Sequence, residues 1–511
     1  MKKGAVYLVG AGPGGMGLIT VRGLELLRQA DVVVYDRLAD DGLLARARGD
    51  AETVYVGKAA GDHTIEQSEI NRILVAKAKE GRSVVRLKGG DPFVLGRGGE
   101  EAEALFLNGV PFEIVPGVTS AVAVPAFAGI PVTHRGMASS FAVVTGHEDP
   151  AKEESSVDWK QLATSVDTIV CLMGMGNLKV IVDRLIKGGR SLTTPVALIQ
   201  NGATPNQRTV TATLANIVAH AERADFQPPV VIVVGEVVAL RERLAWFDSR
   251  PLFGKRVLVT RSRAQASTLA KLLSELGAEA VELPVIESRE LDDTAKLDIA
   301  VAKLRKFHWV LFTSVNGVDA FWKRVRAAGR DARWFGKVRI AAIGPATADR
   351  LRDLGLYPDF VSEEFTSDSM LKGLAGMDID GCRVLLPRSD IAPKDLIDGL
   401  KMLGARPIEV AAYRTVKPDK ADLRGIHRLF EDDIDIITFT SSSTVTNLVE
   451  ALDGDVETIN RTNVACIGPS TASAAEEAGI RVDITAQEHT IPGLVAAIEQ
   501  YFTVGKRGGS R

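Results

Sequence analysis

A glycine-rich loop near the start of the chain contains the first residues whose types and spacing could do chemistry. Its sequence is VGAGPGGMG, in which Gly10, Gly12 and Gly15 have the GxGxxG spacing. The next apolar run ends at Asp36, a carboxylate that could bind a ribose hydroxyl, so the pattern is typical of a dinucleotide site. Pro13 counts against that site, because it removes a backbone N–H where a helix is expected to begin beside a pyrophosphate. Glycines that only permit a tight turn are the simpler interpretation.

Two more glycine-rich loops follow β-branched runs that are typical of strands. They are RLKGGDPFVLGRGGEE at residues 86–101 and VPGVTSAVAVPAFAGIPVTHRG at residues 115–136. Loops at the carboxyl ends of parallel strands meet at one edge of a sheet, and glycines there let a ligand approach the backbone closely. Several loops with backbone donors and few phosphate-binding features favour a nucleoside that carries no pyrophosphate.

These loops resemble the tetrapyrrole methylase family over residues 4–245. The resemblance is carried by VGAGPG, YDRL, Gly57-Lys58, GGDPFVLGRGGEE, VPGVTSA, GIPVTHRG and NGATPNQR, and within the family it is closest to the members that methylate uroporphyrinogen III. It implies two α/β domains with S-adenosylmethionine bound in the cleft between them. It also implies that two ring carbons of a reduced tetrapyrrole are methylated, which gives precorrin-2 and S-adenosylhomocysteine on the routes to sirohaem and cobalamin.

The resemblance assigns cofactor contacts position by position. These are Pro13, Gly89, Gly90, Asp91, Val94, Thr119, Ser120, Met173 and Gly202. One departure affects the first loop, where Gly15-Met16 replaces the Asp-Pro that such methylases usually have.

The resemblance also assigns Asp36 as proton acceptor and Lys58 as proton donor. A pyrrole carbon is electron-rich and a sulfonium is an excellent leaving group, so the enzyme chiefly aligns the two reactants, and a carboxylate takes the proton that leaves the macrocycle. The candidates for binding the substrate carboxylates are Arg37, Arg97 and Arg135. A helix cap at Asp36, a solvated charge at Lys58 and surface ion pairs at the arginines are the alternatives.

The second half of the chain contains an internal repeat. GKRVLVTRS at residue 254 matches GCRVLLPRS at residue 381, FTSVNGV matches FTSSSTV, and AAIGPATADRLRDLGL matches ACIGPSTASAAEEAGI. Two units of roughly 125 residues are too few and too long for a solenoid. They predict two similar α/β lobes around a shared cleft, which is a common place for a ligand.

This half resembles the uroporphyrinogen-III synthase family over residues 254–503, on VTRS, FTSVNGV, AAYRT, TFTSSSTV and CIGPSTA. The resemblance implies that hydroxymethylbilane is closed without a cofactor, with loss of water and inversion of the last ring. Tyr413 then helps the hydroxyl to leave, or is simply a partly buried aromatic at a strand end. The expected substrate contacts, which could equally be helix caps, are Arg261, Ser314, Asn316, Arg388, Ser442 and Thr471.

The elements that must position these residues are short β-branched runs alternating with helical patterns, which predict α/β layers with mostly parallel sheets. We expect a methylase at residues 1–245 with subdomains at about 1–116 and 117–245, a linker at 246–253, a synthase at 254–503 and a flexible tail at 504–511. In the synthase family each lobe mixes both halves of the sequence. Here that implies one lobe of about 252–287 with 415–505, and another of about 288–412.

Composition limits the function classes. The 511 residues carry a net charge of −3, which excludes a globally basic nucleic-acid binder. No apolar run is long enough for a membrane span or a signal peptide, three cysteines occur without CxxC, and the histidines have no metal-binding spacing. We therefore expect a cytoplasmic, metal-free bifunctional enzyme that dimerises through its methylase half. The alternative is an NAD-dependent dehydrogenase fused to a two-lobed small-molecule binding module.

Overall fold

The computed structural model describes residues 4–37, 41–57, 65–147, 156–260, 263–283, 285, 287–362, 366–416, 426–431 and 433–508. The chain forms two compact units, Met1–Gly254 and Lys255–Arg511. Among the described helices, none is long and apolar enough to cross a membrane.

The first unit begins with a five-stranded parallel sheet in the order β3-β2-β4-β1-β5. Its strands are β1 (Ala5–Gly10), β2 (Val32–Tyr35), β3 (Glu52–Tyr55), β4 (Ser83–Lys88) and β5 (Phe112–Val115). Its helices are α1 (Val21–Gln29), α2 (Asp41–Leu44), α3 (Gln67–Lys79) and α4 (Gly98–Leu107). The central strands β1 and β4 are almost entirely buried, because apolar clusters cover both faces of the sheet. All carboxyl ends therefore lie along one edge.

The first helix begins later than the glycine pattern predicts. A single 3₁₀ turn at Met16–Leu18 follows the loop, and α1 starts only at Val21. The hydroxyl of Thr20 accepts a hydrogen bond from the Gly23 N–H at 3.2 Å and so caps the helix. The helix start that a dinucleotide site would need near Pro13 is therefore absent, because the cap at Thr20 sets the start of α1.

The second subdomain of this unit has a mixed sheet in the order β6-β7-β10-β8-β9. Its strands are β6 (Phe141–Thr145), β7 (Thr168–Leu172), β8 (Pro195–Gln200), β9 (Arg208–Thr213) and β10 (Val230–Val234). Its helices are α5 (Ser120–Phe127), α6 (Trp159–Ser165), α7 (Leu178–Lys187), α8 (Ile217–Arg223) and α9 (Arg241–Leu244). Only β6 and β7 pair in parallel, whereas β10 is antiparallel to both its neighbours and β8 is antiparallel to β9. This sheet is therefore mixed, within an α/β chain whose other sheets are mostly parallel, and β8 and β9 are antiparallel because one loop joins them as a hairpin.

Residues 246–253, for which the sequence predicts a linker, pack on the first unit. The indole N–H of Trp246 donates to the Ala126 carbonyl at 2.9 Å, and the rings of Phe127 and Phe247 lie 4.8 Å apart between centroids. Arg241 forms an ion pair with Asp248. This segment is therefore held against the end of α5.

The second unit contains two sheets, in the orders β12-β11-β19-β20-β21 and β13-β18-β17-β14-β15-β16. The strands are β11 (Arg256–Val259), β12 (Glu279–Glu282), β13 (Glu287–Arg289), β14 (Trp309–Phe312), β15 (Arg339–Ala342), β16 (Phe360–Val361), β17 (Arg383–Ser389), β18 (Arg406–Val416), β19 (Ile436–Phe439), β20 (Asn463–Cys466) and β21 (Ile484–Thr485). The helices are α10 (Arg263–Glu275), α11 (Ala295–Ala302), α12 (Val315–Ala327), α13 (Pro345–Asp353), α14 (Ser367–Ala375), α15 (Asp395–Met402), α16 (Ile426–Glu431), α17 (Ser442–Ala451), α18 (Val456–Asn460), α19 (Pro469–Glu477) and α20 (Ile491–Gly508).

The two sheets of this unit exchange strands between the two sequence repeats. In one sheet, β11 and β12 of the first repeat join β19, β20 and β21 of the second through the pairing of β11 with β19. In the other, β17 and β18 of the second repeat join β14, β15 and β16 of the first through the pairing of β17 with β14. These pairings are parallel, and β13 adds an antiparallel edge strand beside β18. The last helix, α20, continues to Gly508, into the segment for which the sequence predicts a flexible tail.

Candidate active sites

Three loops of the first unit meet at the carboxyl edge of the parallel sheet through Gly10, Gly90 and Gly117, which we call the glycine junction. Gly12 and Gly90 exchange two backbone hydrogen bonds of 3.1 and 2.9 Å. A Cβ placed on Gly10 would lie 2.5 Å from the Gly117 Cα, and one on Gly117 would lie 2.3 Å from the Gly90 oxygen. Such distances exclude a side chain at Gly10 and Gly117, and Gly90 has a φ of 69°, which favours glycine, so the glycines are needed for the loops to approach one another.

The carboxylate of Asp91 fastens this junction. Its Oδ1 accepts hydrogen bonds from the N–H groups of Phe93 (2.7 Å) and Val94 (3.1 Å), and its Oδ2 accepts one from the Gly117 N–H at 3.0 Å. Both oxygens are therefore bonded to protein backbone. Asp91 joins the loop after β4 to the loop after β5, so its part in any ligand site is to fix the shape of the loops.

Backbone strain is concentrated in the loops that the sequence assigns to the cofactor. Positive φ angles occur at Leu95 (54°), Arg97 (58°), Met173 (57°), Asn201 (48°) and Ala203 (64°). Such angles are uncommon outside glycine and gather where function requires them. Gly14 also approaches the last of these loops, since a Cβ there would lie 2.3 Å from the Ala203 oxygen. The two subdomains of the first unit thus meet at this site.

The remaining predicted cofactor residues lie around the same loops. Pro13, Gly89, Val94, Thr119 and Ser120 are half-buried, and the Thr119 hydroxyl caps α5 by accepting from the Ala121 N–H at 3.3 Å. Gly202 packs against α5, because a Cβ there would lie 2.2 Å from a methyl group of Val124. The Met173 side chain is 52% exposed.

The loops fit a nucleoside with an apolar tail better than a dinucleotide. The α1 N-terminus is separated from Gly10 by the 3₁₀ turn and is capped by Thr20, so it is not available to a pyrophosphate beside the glycines. Phe93 and Leu95, in the loop after β4, and Met173, directly after β7, instead expose apolar surface. An adenosine and a thioether chain could be held by such surface together with backbone groups.

Asp36 belongs to a buried charge network that the sequence analysis missed. Its Oδ2 accepts from the Arg86 Nη2 at 3.0 Å, and Arg86 in turn donates to Glu101. Glu101 also accepts from the Lys88 ammonium at 2.9 Å, while burial and the Arg86 charge lower the pKa of Lys88. The sequence feature that indicates this network is the pair of charges Arg86 and Lys88 in SVVRLK, a run that is otherwise typical of a buried central strand. Lys58, the predicted proton donor, lies outside the described residues.

The three predicted substrate arginines of this unit are exposed at the surface. Arg97 makes a bidentate pair with Glu100 at 2.8 and 2.7 Å, and this hydrogen bonding lowers the pKa of Glu100. Arg135 lies in a turn closed by two backbone hydrogen bonds between His134 and Ala138. Arg37 follows Asp36 directly.

The second unit brings Tyr413 and Ser314 together. The Tyr413 hydroxyl lies 3.2 Å from the Ser314 Oγ, which also caps α12 by accepting from the Gly317 N–H at 3.1 Å. Asn316 lies in the first turn of that helix. Gly317 lets the helix approach β17, since a Cβ there would lie 2.9 Å from the Pro387 oxygen. The hydroxyls of Tyr413 and Ser314 thus lie together at the N-terminus of α12 and at the carboxyl edge of the sheet.

The other predicted donors are placed differently. Arg388 is only 4% exposed, since its guanidinium bonds the Pro393 carbonyl and lies 3.7 Å from the Glu409 carboxylate, so it does not present its charge to solvent. Thr471 is 3% exposed in the first turn of α19. Ser442 is exposed and donates to the Ser470 carbonyl at 3.3 Å. Arg261 lies outside the described residues.

Comparison with known proteins assigns the two units to two families. Residues 5–218 match the family model of tetrapyrrole (corrin/porphyrin) methylases, and residues 267–496 match that of uroporphyrinogen-III synthase HemD. The porphyrin biosynthesis protein HemD of Ruminiclostridium josui is 40% identical over 497 residues, which cover 97% of each chain. The uroporphyrinogen-III C-methyltransferase of Methanocaldococcus jannaschii is 57% identical over 236 residues, which cover 46% of this chain and 97% of the relative.

A crystal structure of uroporphyrin-III C-methyl transferase from Thermus thermophilus, complexed with S-adenyl homocysteine, is 43% identical to this chain. It covers 46% of this chain and 99% of its own, with a TM-score of 0.41. The strands and helices of the two units confirm the predicted α/β class. The family models and the two relatives confirm both predicted families and favour the methylase over the dehydrogenase alternative. The chain therefore belongs to the family of the Ruminiclostridium josui HemD protein, with a tetrapyrrole methylase followed by a uroporphyrinogen-III synthase.

Proposed function

We propose that this chain catalyses two consecutive steps of tetrapyrrole synthesis. Its second unit closes hydroxymethylbilane to uroporphyrinogen III, with loss of water and inversion of the last ring. Its first unit transfers two methyl groups from S-adenosylmethionine to ring carbons of uroporphyrinogen III, which gives precorrin-2 and S-adenosylhomocysteine. The observation that carries the methylation step is the glycine junction fastened by Asp91, where backbone groups from three loops lie at one sheet edge.

In the methylation step the chain binds, orients and takes up a proton. S-adenosylmethionine supplies an electrophilic methyl group when it is bound. Pro13, Gly89, Gly90, Thr119 and Ser120 offer backbone and hydroxyl contacts, while Val94, Met173 and Gly202 shape the apolar side. Alignment of the methyl group with a pyrrole carbon accounts for most of the rate, because proximity alone can be worth several orders of magnitude. Asp36 then accepts the proton that leaves the methylated ring, and Arg37, Arg97 and Arg135 bind substrate carboxylates.

In the ring-closing step the second unit steers an intermediate that is already reactive. Tyr413 donates a proton to the departing hydroxyl, and Ser314 and Asn316 hold the substrate at the N-terminus of α12. The proposed roles of Tyr413 and Ser314 are supported by the 3.2 Å contact between their oxygens at the carboxyl edge of the sheet. Arg261, Arg388, Ser442 and Thr471 complete the proposed set of substrate contacts. The buried Arg388 would need to gain access to the substrate when the site is filled.

We also propose a homodimer formed through the first unit, in the cytoplasm. Phe106, Leu107 and Phe112 leave an apolar patch on α4 and the edge strand β5, with exposures of 75%, 81% and 39%. Patches of this kind mark association surfaces. All three cysteines are free, as is usual in a reducing compartment. Light scattering of the purified chain and of Leu107→Glu tests the dimer. We expect a dimer for the unaltered chain and a monomer for the variant.

The whole proposal is tested by supplying purified protein with hydroxymethylbilane, with and without S-adenosylmethionine. Without the cofactor the product should be uroporphyrinogen III, and with it precorrin-2. Isomer analysis is essential because the bilane closes without enzyme to the product whose last ring is not inverted. A protein that yields only that isomer would lack the synthase activity, and unmethylated type III product in the presence of the cofactor would exclude the methyltransferase.

A further inference from the structure

Arg86 connects the proposed proton acceptor to the interior of the first unit. Its Nη2 donates to the Asp36 Oδ2 at 3.0 Å, and its Nε donates to the Glu101 Oε1 at 3.2 Å. Its Nη1 donates to the Leu87 carbonyl at 3.0 Å. Every nitrogen of the guanidinium is thus bonded, which fixes the plane of the group.

The partners of Arg86 are themselves held in place. Glu101 is fully buried, and its Oε1 accepts from Arg86, from Lys88 at 2.9 Å and from Gln67 at 3.2 Å. Lys88 is 6% exposed at its side chain. The network therefore lies inside the sheet–helix layer, except at one end, where the Asp36 side chain is 25% exposed.

Stability alone does not account for these charges. Arg86 and Lys88 lie on β4, the central strand of a five-stranded sheet, where apolar side chains would satisfy the core. Buried ion pairs are weak contributors to stability, because desolvation offsets their attraction, and apolar residues of similar volume are often at least as stable. Charges kept in such a position are expected where they orient a functional group.

The register of the sheet explains how Arg86 reaches the site. In the parallel pairing of β2 with β4, Val34 lies opposite Arg86, and Asp36 follows β2 at the carboxyl edge. The guanidinium Nη1 lies 3.5 Å from the Val34 carbonyl oxygen, and Nη2 bonds the carboxylate. A residue of the central strand therefore holds one oxygen of Asp36.

We propose that Arg86 is a positioning residue for methylation, which holds the Asp36 carboxylate in one orientation and is itself held by Glu101 and Lys88. The inference rests on the proposed function, in which Asp36 accepts the substrate proton. A lysine at this position keeps the charge and loses the planar set of donors, so it cannot bond Asp36 and Glu101 in the same fixed geometry. The effect should appear in turnover rather than in binding.

The test is a double-mutant cycle of Arg86→Lys and Asp36→Asn in the full chain, assayed with uroporphyrinogen III and S-adenosylmethionine. Arg86→Lys should lower kcat by about 10- to 100-fold, as expected when a reacting group is misplaced by about 1 Å. KM for uroporphyrinogen III and Kd for S-adenosylmethionine should change by less than about twofold. In the Asp36→Asn background, Arg86→Lys should have no further effect, because the group it positions has lost its basicity.

Arg48→Lys is the matched control, since Arg48 also pairs with carboxylates of this unit, Asp31 at 3.0 Å and Asp50 at 2.6 Å, but is exposed. It should leave kcat unchanged. If Arg86→Lys does not fold, Arg86→Gln, which keeps a planar donor, takes its place in the cycle. Wild-type kcat in the Arg86 variant, or additive losses in the double variant, would overturn the positioning role alone. Wild-type turnover of Asp36→Asn would overturn the proposed role of Asp36 and, with it, this inference.

Discussion

The hydroxyl of Tyr413 lies 3.2 Å from the Oγ of Ser314, and the same serine oxygen accepts the Gly317 N–H at the start of α12. One serine thus caps a helix and contacts the phenol that ends the AAY run of β18. A helix N-terminus favours negative charge nearby. The pair is therefore suited to assist a leaving hydroxyl at this edge of the sheet.

Replacing Tyr413 by phenylalanine should slow formation of the type III isomer by roughly ten- to a few hundred-fold, the range of one lost acid contribution. Ring closure should persist, because Ser314 and the other hydroxyls and N–H groups of the site remain. Chromatographic separation of the isomers measures this rate, and methylation of supplied uroporphyrinogen III is the internal control. Complete loss of type III product in a folded variant would refute the idea of distributed donors, and a wild-type rate would remove Tyr413 from the site.

Asp91→Ala should weaken binding of S-adenosylmethionine by at least about tenfold. The substitution removes all three hydrogen bonds that the carboxylate accepts from backbone, including the one from Gly117 that joins two loops. Hydrogen bonds to charged groups contribute about 1.5–3 kcal/mol each, so part of one is enough for this effect. Calorimetric titration measures the affinity, and ring closure should be unaffected.

Asp91→Asn should fall between the wild type and the alanine variant, since one amide oxygen can still accept while the amide nitrogen cannot accept from Gly117. Asp183→Ala, on the exposed face of α7, is the control for loss of an aspartate. Wild-type affinity in Asp91→Ala would show that the glycine junction does not need this carboxylate to hold the cofactor.

The sequence predicts the loops of the first site better than it predicts what lies beneath them. GGDP and VPG are readable because glycine permits backbone angles that other residues avoid and proline fixes φ, and both loops follow parallel strands. Glu101 is not readable, because in GRGGEE it looks like any exposed charge near a helix start, whereas in the fold it is fully buried and bonded by Gln67, Arg86 and Lys88. The burial of Glu101 depends on tertiary packing, which no local sequence pattern encodes.

The second unit shows the same limit. The repeat predicts two similar sheets, and the shared strand order reflects it. The sequence predicts Arg388, at the end of β17, as a substrate contact, but the loop that follows this strand brings the Pro393 carbonyl to its guanidinium. The strand position was predictable, whereas the path of the loop depends on contacts distant in the sequence.

Asp36→Asn should reduce methylation by about 100-fold or more while cofactor affinity is retained, because the amide keeps the size of the side chain and loses its basicity. Steady-state turnover with uroporphyrinogen III measures the loss. Asp50→Asn, which affects an exposed carboxylate paired with Arg48, should turn over normally. Full activity of Asp36→Asn would mean that the residue serves as a cap or a ribose contact.

The three thiols should differ in their reaction with iodoacetamide at pH 8. Burial raises the pKa of Cys171 and of Cys466 to about 12, so at pH 8 only roughly one such group in ten thousand is a thiolate, against about a quarter for an ordinary cysteine. Burial also raises the pKa of Cys382, but that side chain is half-buried and reagent can reach it. Mass spectrometry of peptides from the native protein should therefore find Cys382 labelled first and the other two unlabelled. Unfolding in guanidinium should make all three react alike, and rapid labelling of Cys171 in the native protein would show that the β7 core is open to solvent.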